Sequence, residues 1–578
     1  MRLGRSTSMF SDIRVIRDID LTIVALGFLV FLNCSNDDVN TIVESEEVKE
    51  NIKDSITKDT TVASNLLRLI DNKIIDSTGT AVVLQGTGFS NDFWRQTPEL
   101  PLSHHDGADY GRTRFLGFNS IRFYLNYQWF EDDAQPYIYK EEAWKWLDEN
   151  IFWAKQNGIY LILNMHAPQG RFTPQGATAG LWTNPENQKR LAALWKAIAE
   201  RYKDEPVIAG YGPVNEPRPN ESIDQWSELA QKLIDTIRSV DSKHILFIER
   251  AVAIAGAFES EFETEDLNFP EIRVDDRMVY EFHFYDPFRF THQLMNFTGL
   301  PEGGKYPDEQ RLEASKSKWY SASFSDPKLP IGTTDWTYFE GNLHEITDSK
   351  IAFSAVGVTA NSIGGEVFLD NFEVNEYDAQ GNFVRTLFEE ETEDTADWNF
   401  FSKDKSGTFS VAEGEGYQDS KSLRIAGTLS NANIASRFRF IPRKGYLYQV
   451  NGWLKGVNMS PEATASLRLF YYTSPEPVLT RNASYIASRI DRFLDWGKKN
   501  GRPMYMGEFG TGAPTFLNNR NGSGYISDIL DVAKARDLHF SFHAYRGTNF
   551  GIYPTVGKPV TPSEVNTPLF NVFREKLQ

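Results

Sequence analysis

Two short glutamate-bearing segments stand far apart in the chain, Val214-Asn215-Glu216-Pro217 and Met506-Gly507-Glu508-Phe509-Gly510. Each follows an apolar, strand-like run, Ile208 to Pro213 in the first case and Pro503 to Tyr505 in the second. Each therefore presents a carboxylate where a buried strand gives way to a loop. Two such carboxylates can divide the work of glycosidic bond cleavage. One keeps its proton and hands it to the leaving oxygen, while the other stays ionised and attacks or stabilises the sugar carbon. A single glutamate at a strand end is more commonly a hydrogen-bonding or ion-pairing residue. The inference rests on the pair.

The elements that must position this pair alternate between strand and helix from about residue 66. Strand candidates are Val82 to Phe89, Gly117 to Tyr124, Ile159 to Met165, Val207 to Val214, Ile245 to Ile248 and Met278 to Phe284. Between them, Glu141 to Gln156, Gln188 to Tyr202 and Ile223 to Val240 carry apolar residues at helical spacing. Asn157-Gly158 supplies a stop for the first of these. Steady alternation of this kind predicts an α/β fold, a parallel sheet closed into an eight-stranded (β/α)8 TIM barrel.

The alternation stops at about Ala314 and resumes after Val478. In between lie short alternating segments, among them Ile351 to Val356, Gly365 to Val374, Ser422 to Ala426 and Tyr446 to Leu454, separated by Gly-, Asp- and Asn-rich turns. They predict an antiparallel, jelly-roll-like β-sandwich. Helix Tyr485 to Lys499 and strand Pro503 to Phe509 then return to the barrel pattern. The expected organisation is 66–314 for the first part of the barrel, 315–478 for an inserted sandwich and 479–578 for the remainder. Loops on the C-terminal face of a barrel tolerate such an insertion because the core is untouched.

At 578 residues, with 40% hydrophobic and 13% aromatic residues, the chain has material for two or three folded domains. A net charge of -19 argues against nucleic acid and anionic membrane surfaces as partners. No zinc, phosphate-loop or dinucleotide motif occurs, so no cofactor or metal is expected; Asp370 is available to a structural Ca²⁺ but nothing specifies one. A monomer is expected.

The strand ends carry a combination that resembles glycoside hydrolase family five, the cellulase family of retaining barrels. The segments are Asn119-Ser120-Ile121-Arg122, Asn164-Met165-His166, Val214-Asn215-Glu216-Pro217, Phe282-His283-Phe284-Tyr285 and Gly507-Glu508-Phe509-Gly510. The resemblance covers about 72–314 and 479–575. It implies that Glu216 is the acid/base and Glu508 the nucleophile. A proton held on Glu216 near neutrality requires partial burial and a nearby negative charge. Arg122 and the Tyr285 hydroxyl are the natural donors that keep Glu508 ionised. Asn215 is placed to bond the sugar 2-hydroxyl, and His166 and His283 to orient the carboxylates and line the subsite beside the cleaved bond. The family usually offers a Trp at the end of the eighth strand, whereas here the segment is Leu538-His539-Phe540-Ser541-Phe542-His543-Ala544-Tyr545. Phe542, His543 or Tyr545 is expected to take its stacking role, or a Trp from elsewhere in the chain does, with Trp182 and Trp94 as candidates for flanking subsites.

The insert resembles jelly-roll carbohydrate-binding modules through Gly365 to Glu373. Trp336, Trp398 and Trp453, or the pair Tyr471-Tyr472, are its candidate sugar platform; a spacer or lid that binds no sugar is the alternative.

At the N-terminus, arginines precede an apolar run, Leu21 to Leu32, of signal-peptide length. Phe31-Leu32-Asn33-Cys34-Ser35-Asn36 then resembles a bacterial lipoprotein cleavage box, with Asn33 where a small residue is usual. Residues 1–34 are thus expected to be a signal peptide and lipobox, and 35–65 an acidic, flexible tether to the outer membrane or cell surface. A plain signal peptide or an uncleaved anchor is the alternative. The activity implied is a secreted, retaining endo-β-glycanase acting on β-1,4-linked polysaccharide. A β-mannanase, xyloglucanase, exo-β-glucosidase or non-catalytic glycan-binding protein remain open.

Overall fold

The computed structural model describes residues 66–578, apart from 96, 103, 171–179, 255–266, 274, 315–317, 322–325, 391–394, 475 and 556–563. The signal-like run, Cys34 and the acidic tether lie outside the described residues. No helix among the described residues is long and apolar enough to cross a membrane.

Eight parallel strands close into a barrel: Gln85–Phe89, Ser120–Asn126, Tyr160–Ala167, Ile208–Gly212, Ile245–Glu249, Met278–Phe284, Met504–Phe509 and His539–Phe542. Nearly every residue of these strands is buried, because helices cover the outside and side chains fill the inside. The covering helices begin where the sequence offers caps. The Ser222 side chain accepts from the Asp224 amide and starts helix Ile223–Arg238, whose Trp226, Leu229, Ala230, Leu233, Ile234 and Ile237 form one buried stripe. Asn184 and Pro185 open helix Pro185–Tyr202 in the same way.

Two local irregularities aim side chains into the mouth of the barrel. In the seventh strand Met506 pairs with Phe282 and Glu508 with His283, so Gly507 is an extra residue that bulges the strand and sets Glu508 opposite His283. In the third strand Met165 pairs with Leu125 and Ala167 with Asn126, which leaves His166 as the extra residue. A Cβ at Gly507 would collide with the Glu281 carboxylate, so only glycine fits there.

Between the sixth and seventh barrel strands the chain leaves through Asp308–Glu313 and returns through Leu479–Arg481, which pair as an antiparallel ribbon. The buried ion pair Arg481–Glu313, 2.6 Å, fastens its root. The insert is two antiparallel sheets, one of five strands and one of seven, packed across an apolar core. Trp398 and Tyr471 belong to that core, and Tyr472 is 4% exposed and stacked on Phe353. The three cannot form a sugar platform. Trp398 and Tyr471 point into the space between the two sheets, whereas Tyr472, the next residue along its strand, points to the opposite face and is covered there by Phe353, Phe470 and Ala314. Trp336 and Trp453 do lie on the outer face of the larger sheet.

Candidate active site

The barrel's C-terminal mouth opens into a cavity of about 1140 Å³. Glu216, His166, His283, Tyr285, Glu508 and His543 all line it. Arg122 lies beneath them, fully buried, with its guanidinium spread over several acceptors. One terminal nitrogen donates to Glu508 Oε1 at 2.7 Å; the other meets Glu281 Oε1 at 2.8 Å, Asn215 Oδ1 at 2.9 Å and Glu249 Oε2 at 3.5 Å. Two phenols complete the hold on Glu508. Tyr124 donates to Oε1 at 2.9 Å and Tyr285 to Oε2 at 2.8 Å.

Glu216 follows the fourth strand with φ +43°, a left-handed backbone that a glutamate adopts only where the surroundings enforce it. The enforcing contact is the Glu216 amide, which donates to Glu249 Oε2 at 2.9 Å. The His283 ring bridges the two cavity carboxylates, with Nδ1 3.0 Å from Glu216 and 3.6 Å from Glu508. Its Nε2 faces Glu249 Oε1 at 3.3 Å. His166 stacks on Tyr124 with ring centres 3.8 Å apart, and its Nδ1 lies 2.9 Å from Asn164 Oδ1. Glu216, His283 and Glu508 offer ligand atoms within 4.8 Å of one another, as do Glu249, Glu281 and His283. Either set could chelate a cation, but Arg122 already supplies the positive charge at their centre.

Residues 76–340 match the family model for cellulase, glycosyl hydrolase family 5. The barrel is a glycoside hydrolase family 5 catalytic domain. Endoglucanase C of Acetivibrio thermocellus is 32% identical over 182 residues, which is 32% of this chain and 50% of that protein. Cellodextrinase A of Ruminococcus flavefaciens is 27% identical over 222 residues, 38% of this chain and 63% of that protein. The chain thus spans about half the length of the first endoglucanase it matches. The endoglucanase Cel5A of Thermotoga maritima aligns with a TM-score of 0.44 at 16% identity, covering 84% of this chain and 96% of that one.

Within the family 5 barrel, three expected site residues, Phe542, Trp182 and Asn215, and the stacking candidate Tyr545 lie outside the cavity lining. Phe542 is fully buried and packs on Phe509 and on Phe573 of the C-terminal helix, because strand alternation gives the cavity position to its neighbour His543. Trp182 is buried against Trp226, edge to face, and does not line the cavity. Tyr545 is likewise buried and donates to Asp109. Asn215 is buried under Arg122 and is not among the cavity-lining residues. Trp94 does line the cavity and is 56% exposed. Three residues of the constellation escaped the sequence reading: Tyr124, Glu249 and Glu281. An acid inside an otherwise apolar strand, as in Val279-Tyr280-Glu281-Phe282, was the available signal.

Electrostatics divides the carboxylates. Burial would raise the pKa of Glu508, but the charges of His283, His543 and Arg122 outweigh it and hold the group well below the usual carboxylate range. Burial also opposes charge on His283, yet Glu249, Glu508 and Glu216 hold its pKa well above the ordinary histidine value. Glu249, fully enclosed, is pushed well above the carboxylate range by burial. Burial keeps His166 neutral and Tyr285 a hydroxyl donor.

Because folded Glu508 binds its proton more weakly than an unfolded glutamate, the stability it contributes is complete above about pH 4.3 and is lost as pH falls toward the folded value. The same sign applies to activity: the acid limb of kcat/KM is expected below that pH. Tyr285→Phe removes one donor and is expected to lower kcat/KM about tenfold and to move the acid limb upward. A pH–rate profile checks both; an unmoved limb would contradict the role given to the phenol.

Proposed function

We propose that the protein is a retaining endo-β-glycanase that cleaves β-1,4-linked glucan by double displacement. The observation that carries this reading is the separation of the two carboxylates, one oxygen of Glu216 and one of Glu508 lying within 4.8 Å. Retention needs carboxyl groups about 5 Å apart, whereas inversion needs about 6.5–9.5 Å to admit a water between acid and base sides. In the first step Glu216 protonates the glycosidic oxygen as its bond to the anomeric carbon breaks, and a Glu508 oxygen bonds to that carbon. In the second step Glu216 takes a proton from water, the water oxygen bonds to the anomeric carbon, and Glu508 is released. The Tyr124, Tyr285 and Arg122 donors hold Glu508 for both steps.

A polymer substrate fits a cavity of about 1140 Å³ that continues on both sides of the carboxylates, beyond the ~300–1,000 Å³ of small-molecule sites. The endoglucanase and cellodextrinase among the relatives support a β-glucan. Secretion and a lipid anchor on Cys34 complete the proposal and rest on the N-terminal sequence alone. Replacing the acid tests the chemistry. Glu216→Gln is expected to lower kcat/KM on cello-oligosaccharides by about 10²–10⁴-fold while sparing kcat/KM on a dinitrophenyl cellobioside, whose leaving group needs no proton in the first step. Equal losses on both substrates would remove Glu216 from the acid role.

The insert is proposed to hold glucan as well. On its larger sheet Trp453 stacks on Tyr417 at 3.6 Å, with Tyr338 5.4 Å from Trp453 and Trp336 6.2 Å from Tyr417. Beside these rings Asn451 donates to Glu373 at 2.8 Å and Tyr377 to Gln449 at 2.8 Å, a polar floor of the kind that receives hydroxyls. Trp453→Ala is expected to weaken binding of soluble β-glucan by about tenfold or more in calorimetric titration of the Glu508→Gln protein. Unchanged affinity would assign the sandwich to the spacer role.

A further inference from the structure

The inserted sandwich touches the barrel where it matters for specificity. Asn399, on insert strand Trp398–Ser402, accepts from the Arg289 guanidinium at 2.8 Å. Arg289 follows the sixth barrel strand and lines the cavity. At the return of the insert, Glu476 pairs with Arg489 at 2.8 Å and with Arg492. Both arginines line the same cavity, and Arg489 also grips cavity-lining Asp286 at 2.8 Å. Two separate segments of the insert, some distance apart in sequence, therefore converge on one wall of the cleft.

Glu216 follows the fourth strand, and the loops after the fifth and sixth strands continue the cavity through Val252, Phe288 and Phe297. Across the barrel, the loops of the eighth and first strands line the cavity with Trp94, His104 and Arg546. A leaving sugar bound on the Glu216 side of the cleaved bond would lie against Arg289.

We propose that the insert selects the leaving group: Asn399 is a positioning residue that holds Arg289 against the hydroxyls of the leaving saccharide. A long arginine side chain at a half-buried wall samples many rotamers, and a fixed acceptor removes that cost before substrate arrives. The geometry gives the sandwich a role in the reaction that is separate from any glycan held on its outer face. It rests on the β-glucanase reading above.

The test compares kcat/KM on cellotetraose with kcat/KM on an aryl β-cellobioside, which carries no leaving sugar. Asn399→Ala is expected to lower the ratio of the two about tenfold, the size of one hydrogen bond to a charged group. Asn399→Asp keeps an acceptor and is expected to restore the ratio. Arg289→Ala is expected to lower it as far, and adding Asn399→Ala to that variant to lower it no further, since the two act as one unit. Equal losses on both substrates, or additive losses in the double variant, would overturn the inference. An unchanged ratio in a wild type active on both substrates would overturn it alone. A wild type that cleaves the aryl glycoside and leaves cellotetraose intact would overturn the β-glucanase reading with it.

Discussion

The buried guanidinium of Arg122 is the constraint on which the rest of the site depends. It sits inside the barrel with three carboxylates, Glu249, Glu281 and Glu508, within 3.5 Å. Removing the guanidinium would leave the buried acids around it without their counter-charge, at a cost of about 3–5 kcal/mol. The surrounding backbone has been shaped to keep the cluster closed. Gly507 is a glycine because the Glu281 carboxylate fills the space of its missing side chain. Glu216 takes a left-handed backbone because Glu249 accepts its amide. Glu508 and Glu216 are thus placed by one charge network, and their separation follows from it.

The barrel order and the two glutamates were legible because each sits at the end of an apolar run flanked by helical periodicity. Arg122, His283 and Tyr285 were legible for the same reason: strand ends on one face of a barrel must meet. Tyr124, Glu249 and Glu281 were harder to read. Their work is to hold other residues, and a tyrosine or glutamate within a strand resembles ordinary packing until its partners are known. Phe542 and His543 show the limit of resolution. A strand has a period of two, so a one-residue uncertainty in phase exchanges the cavity side for the helix side. The same ambiguity put Trp398 and Tyr471 on a surface when they fill the sandwich core, while Tyr472 is buried in a second cluster on the other face of its sheet.

The insert shows how a barrel can gain a wall without disturbing its core. A short ribbon closed by Arg481 and Glu313 isolates the sandwich from the strands. Its contacts with the catalytic mouth run instead through Arg289, Arg489 and Arg492, which belong to loops and to helix Ala483–Lys499. Loop positions accept new partners because the strands beneath them carry the stability. Among the described residues, these contacts of the sandwich with the cavity lining gather on one side of the cleft.

The central claim is that Glu508, held ionised by Arg122 and two phenols, forms a covalent bond to the sugar. The most direct measurement is mass spectrometry after reaction with a 2-deoxy-2-fluoro-β-cellobioside carrying a good leaving group. A fluorosugar slows the release of the intermediate, so the account predicts an intact-protein mass gain of one fluorocellobiosyl unit, mapped by peptide analysis to Glu508. Turnover of the reagent without an adduct, or an adduct on another residue, would contradict it.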